Sequence, residues 1–95
     1  MRRLLWGISA RGDLYRIARQ YAEFDPDLPL TLLERIEAAP LILLDQPGLG
    51  SPFSRGLRKW SVKRTPFVLL YRFDGRDIQV RRVLDARSDL VGRLR

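Results

Sequence analysis

The 95-residue chain contains no cysteine and no histidine. Without cysteine no disulfide framework can hold a small fold together, and without either residue the usual zinc ligand sets are out of reach. The same gap leaves a serine nucleophile with no imidazole to activate it. No apolar run approaches the roughly 18 residues of a membrane span, the longest lying around Leu41 to Leu44. We therefore expect no cofactor, no metal and no membrane contact. Met1-Arg2-Arg3 before Leu4-Leu5-Trp6-Gly7-Ile8 has the outline of a secretory leader, but charged residues from Arg11 onward cut the apolar segment short. A soluble, cytoplasmic protein is expected.

Hydrophobic residues make up 45% of the chain, enough for one compact domain spanning residues 1–95. The net charge of +7 is unevenly distributed. Residues 1–53 carry six basic and seven acidic side chains, a balance of -1, whereas residues 54–95 carry twelve basic and four acidic ones, a balance of +8. A basic half on a near-neutral scaffold points to an anionic partner: nucleic acid, an enzyme that handles it, or an acidic peptide.

Leu4 to Ile8 reads as a short buried strand, and Ser9 with Asp13 four places on reads as a helix start. Leu14, Ile17, Ala18 and Tyr21, with Phe24 at the next step, then recur at helical spacing, with Arg16, Arg19, Gln20 and Glu23 between them. Asp25-Pro26-Asp27 stops this helix. A second helix opens with Pro29 in its first turn and carries the stripe Leu32, Leu33, Ile36 and Ala39; Pro40 should kink or break it, with Leu41 to Leu44 continuing as a helical turn on the core. Pro47-Gly48-Leu49-Gly50-Ser51-Pro52 is a loop, and Gly48-Leu49-Gly50 lacks the strand-loop-helix setting of a nucleotide-binding fingerprint. Three strands follow, at Gly56 to Val62, Pro66 to Phe73 and Asp77 to Leu84, the last two joined by an Asp74-Gly75 turn. The order β-α-α-β-β-β predicts an α+β fold with a two-helix antiparallel hairpin packed on a small, mainly antiparallel sheet.

In this arrangement the sequence resembles the RelE/ParE toxin family of type II toxin-antitoxin systems, and within it the ParE-like branch, over nearly its whole length. Asp13-Leu14-Tyr15-Arg16-Ile17 looks like the first-helix pattern, Leu33-Glu34-Arg35-Ile36 like the second, and Pro47-x-x-Gly50 like the loop before the meander. The most specific likeness is in the spacing of Trp60-Ser61-Val62, Pro66-Phe67-Val68-Leu69-Leu70-Tyr71-Arg72 and Ile78-x-Val80-x-Arg82-Val83-Leu84-Asp85-Ala86-Arg87-Ser88-Asp89. Many ParE-like members have histidine where Asp85 stands. The resemblance implies a cytoplasmic toxin neutralised by an antitoxin encoded beside it. Two targets stay open under it, since the RelE branch cleaves messenger RNA in the ribosomal decoding site whereas the ParE branch poisons DNA gyrase. A third reading is a non-toxic nucleic-acid-binding module that shares only the fold.

Cleavage of RNA through its 2'-hydroxyl needs a proton acceptor, a donor to the leaving oxygen and positive charge on the phosphorane. The ribonuclease branch usually has a tyrosine or histidine near the C-terminus, where Asp85 and Val91 are the nearest corresponding positions here. Neither completes the set, so non-enzymatic action on gyrase is the favoured expectation, with nucleic acid met indirectly. The residues expected to bind target or antitoxin are Lys59, Trp60, Lys63, Arg64, Arg81, Arg82 and Arg87. Strand alternation places Arg82 on the face of Ile78, Val80 and Leu84 with a partly buried stem, and Arg81 on the opposite face. Tyr71 shares a face with Phe67, Leu69 and Phe73 and is expected in the core, whereas Trp60, on an edge strand, is a candidate exposed indole.

Overall fold

The computed structural model describes residues 1–87. Strand β1 (Leu4–Trp6) leads into helix α1 (Ile8–Ala22), followed by α2 (Leu28–Ala38) and a 3-10 turn at Leu41–Leu44. Strand β2 (Ser51–Pro52), a second 3-10 turn at Ser54–Gly56, and strands β3 (Arg58–Ser61), β4 (Phe67–Phe73) and β5 (Ile78–Asp85) complete the described chain. The five strands form one sheet in the order β1-β5-β4-β3-β2. All pairs are antiparallel except β1 with β5. The expected α+β architecture is present, with a two-residue strand β2 added to the edge.

The helical stripe is as the apolar spacing requires. Ala10 and Ile17 of α1 and Leu32 and Ile36 of α2 are buried against Phe67, Leu69, Val80 and Val83 of the central strands. The valine, leucine, isoleucine and phenylalanine side chains among these each contribute roughly 1.5–3 kcal/mol when taken out of water. Phe24 does not join the stripe: α1 ends at Ala22 and the Phe24 ring is 82% exposed. The start of α1 also differs from expectation. Gly7 is the N-cap, Ser9 lies inside the first turn, and Asp13 is turned into the protein.

The face of the sheet turned away from the helices is covered as well. Val68, Leu70 and Leu84 are buried there beneath Phe53 and Leu57, because the segment after the second helix folds back across the strands. Tyr71 holds that segment in place. Its ring is fully buried, its hydroxyl accepts the Gly50 backbone N–H at 2.9 Å, and it donates to the Pro47 carbonyl at 2.7 Å. A Cβ at position 50 would meet the Tyr71 hydroxyl at 2.6 Å and the Lys59 carbonyl at 2.9 Å, so the glycine of Pro47-x-x-Gly50 is a packing requirement. Gly56, at φ 74, ends the 3-10 turn and delays β3 to Arg58, two residues later than the sequence suggested.

Candidate functional site

The basic residues of β5 are placed by an irregularity. Leu70 pairs with Arg82 and Tyr71 with Val80, which leaves Arg81 as the unmatched residue of a β-bulge. Simple alternation therefore fails across this point: Val83, three residues after Val80, is the one that rejoins the helix-facing core, while Leu84 packs on the opposite face. The expectation that Ile78, Val80, Arg82 and Leu84 share a face is corrected by that extra residue.

Asp13 answers the bulge from α1. Strand β1 pairs only with Ile78 to Val80, so the edge of β5 beyond that point lacks a neighbouring strand. The Asp13 carboxylate fills the gap, accepting the Val83 backbone N–H at 2.8 Å. It also accepts two bonds from the Arg82 guanidinium, at 2.8 Å and 3.2 Å, and one from Arg16. At 2% exposure Asp13 is a buried anion that is paired and fully hydrogen-bonded, the condition under which such burial is tolerated. The hydrogen bond to Asp13 holds the Arg82 guanidinium above its ordinary pKa, so its charge is fixed. The Arg82 side chain is partly buried, 29% exposed, although not on the face of Ile78 and Val80 where alternation placed it.

Arg81 and Arg82 border a shallow groove of about 640 Å³ that runs from the β1–α1 corner across the outer face of the sheet. Arg55 and Arg72 border it too, giving four arginines and, among the described residues, no carboxylate. Arg72 donates to the Arg55 carbonyl at 2.9 Å, tying the loop that carries Arg55 to β4. Arg55 itself sits in the left-handed region at φ 61. Arg81 is exposed and makes no hydrogen bond or ion pair among the described residues. The start of α1 forms one wall, adding the positive end of a 15-residue helix to the same potential.

Of the seven residues expected to bind a partner, the structure brings only Arg81 and Arg82 into this groove. Lys63 and Arg64 are exposed in the turn between β3 and β4. Arg87 lies near that end of the sheet, since Ala86 donates to the Pro66 carbonyl. There it forms an ion pair with Asp85 at 2.8 Å, which holds the Asp85 carboxyl below the usual range. Lys59 is half-buried on β3, paired with Leu70 of β4 and Ser51 of β2. Trp60 is not an exposed indole. It packs against the core and donates its N–H to the Ala39 carbonyl at 2.9 Å. Val91 lies outside the described residues. Sequence reasoning missed Arg55 and Arg72; for Arg72 the signal was its place on β4, one step from buried Tyr71, whereas nothing local marks Arg55.

The described residues contain no cluster of acidic side chains able to hold a metal ion, and no helix among them is long and apolar enough to cross a membrane. Residues 4–90 match the family profile described as the ParE toxin of type II toxin-antitoxin system, parDE. Toxin ParE3 of Caulobacter vibrioides is 38% identical over 87 residues, which cover 87% of this chain and 85% of that protein. A solved structure described as the chromosomal ParDE TA system from P. aeruginosa superposes with a TM-score of 0.76 at 30% identity, covering 87% of this chain and 94% of that one.

Proposed function

Because the chain belongs to the ParE toxin family of type II toxin-antitoxin systems, we propose that it is the toxin of such a pair, acting on DNA gyrase and held inactive by a cognate antitoxin in the cytoplasm. The observation that carries a non-hydrolytic mode of action is the make-up of the groove. Arg55, Arg72 and Arg81 supply charge for a phosphate beside the Asp13-paired Arg82, yet no carboxylate, tyrosine or lysine among its described lining residues stands ready to take a proton from a 2'-hydroxyl. Charge stabilisation without proton transfer suits binding better than cleavage.

The antitoxin reading is supported by what the helical layer leaves uncovered. Tyr15, Phe24 and Leu30 on and beside the two helices, and Leu41 and Ile42 in the 3-10 turn after them, are all exposed large apolar side chains. An amphipathic acidic segment that folds as it binds would cover them while meeting the basic surface. Co-expression with the small reading frame beside this gene should restore growth and yield one co-purifying complex; two proteins that elute separately at low salt would contradict the pairing. For the target, purified protein should inhibit gyrase supercoiling and leave messenger RNA intact on translating ribosomes. Cuts within codons in a primer-extension assay would instead assign the ribosome.

A further inference from the structure

We infer that the four-arginine groove on the outer face of the sheet is a docking surface for duplex DNA, through which the toxin itself contacts the phosphate backbone. This deepens the proposal that gyrase is the target and rests on it for its biological setting. Arg55, Arg72, Arg81 and Arg82 converge there, and of the four only Arg82 is paired with a carboxylate among the described residues, Asp13 behind it. Guanidinium groups present paired donors that match phosphate oxygens, which suits a groove whose charged lining residues are all arginine to phosphate.

Two features favour a duplex backbone over the alternatives. A single strand is usually held by bases stacked on aromatic side chains, and the aromatic residue bordering the groove, Trp6, is packed into the main core. An extended peptide would add to a strand edge, and the stretch of β5 that β1 leaves unpaired is already taken at Val83 by the Asp13 carboxylate, while β1 offers only three residues. The guanidiniums are also pre-positioned, Arg82 by Asp13 and Arg72 by the Arg55 carbonyl. With Arg82 neutralised by its own carboxylate, three charges remain for the DNA.

The test is fluorescence anisotropy with a labelled duplex of mixed sequence, in the absence of gyrase, at a series of salt concentrations. Three phosphate contacts give a slope of log affinity against log salt of about -2.7, so affinity should fall about forty-fold between 50 and 200 mM salt. Arg55→Gln/Arg81→Gln should make that slope shallower by about 1.8 and weaken binding at low salt at least ten-fold, with an unchanged thermal melt. Arg11→Gln/Arg76→Gln removes the same charge elsewhere and should leave the slope as it was. Equal losses in the two double variants would reduce the effect to net charge, and tighter binding of a single-stranded RNA of the same length would assign another ligand; either result overturns the inference. Because no gyrase is present, failure here leaves gyrase inhibition standing. Intact DNA binding with unimpaired supercoiling would overturn the gyrase reading instead.

Discussion

Replacing Asp13 by alanine removes the contact that ties α1 to the irregular strand β5, and its cost follows from what would be left behind. The Val83 N–H would lose its acceptor on an edge that β1 does not reach, and Arg82, with its side chain 29% exposed, would lose its counter-charge. Breaking a buried pair by removing one partner costs about 3–5 kcal/mol, and stranding a buried N–H about 1–3 kcal/mol. These overlap, and water at Arg82 and the exposed Arg16 offsets part of the loss, so we expect about 3 kcal/mol in total. In a domain of this size that lowers the melting temperature by roughly 12–24 °C. Arg82→Ala should cost less, about 1–2 kcal/mol, because Asp13 keeps Arg16 and the Val83 N–H. A double-mutant cycle read by urea unfolding should show the two residues coupled by at least about 1 kcal/mol. An Asp13→Ala protein within about 0.5 kcal/mol of the parent, or strict additivity, would refute the role given to this carboxylate.

Tyr71→Phe strands the Gly50 N–H and the Pro47 carbonyl and should cost about 2 kcal/mol in urea unfolding, while Gly50→Ala should cost more, since the new methyl meets backbone as well as ring. Arg81→Ala/Arg87→Ala should reduce toxicity in a growth assay at unchanged expression and nearly unchanged melting temperature, both side chains being exposed; full toxicity would make them mere solvated surface. Hydrogen bonding from the Arg3 guanidinium holds the Asp77 carboxyl below its ordinary range, and the Asp77 backbone N–H does so for Asp74. With folded pKa values depressed, their stabilisation is complete above the unfolded value of about 3.9 and is lost as pH falls through the folded values. Asp77→Asn should therefore lower the melting temperature at neutral pH and shrink its further drop on acidification; an acid drop as large as the parent's would contradict this.

The helices and the hairpin were legible because their signals are local: 3.6-residue spacing in α1 and α2, and the Asp-Gly turn between β4 and β5, where Gly75 adopts φ 92. The apolar run Val68-Leu69-Leu70-Tyr71 also carried more than its alternation suggested. A strand apolar at every position is one covered on both faces, and Phe53 and Leu57 supply the second cover. What stayed hidden depends on distant partners. Asp13 reads as a helix-start residue until Val83, seventy positions away, is placed beside it. The bulge at Arg81 shows in Val80-Arg81-Arg82-Val83 only as a three-residue step between core valines, which a regular alternation assigns to opposite faces. Half of the arginine groove was therefore visible as a basic pair on one strand, Arg72 was legible from its place on β4, and Arg55 appeared only once the 3-10 turn carrying it was laid beside the sheet.

Titrating the purified protein into a gyrase supercoiling reaction on relaxed plasmid tests the central claim most directly. The account predicts dose-dependent loss of supercoiling with cleaved plasmid accumulating, both reversed by the co-purifying antitoxin. Full supercoiling at a large molar excess of a folded protein that still arrests growth would contradict it.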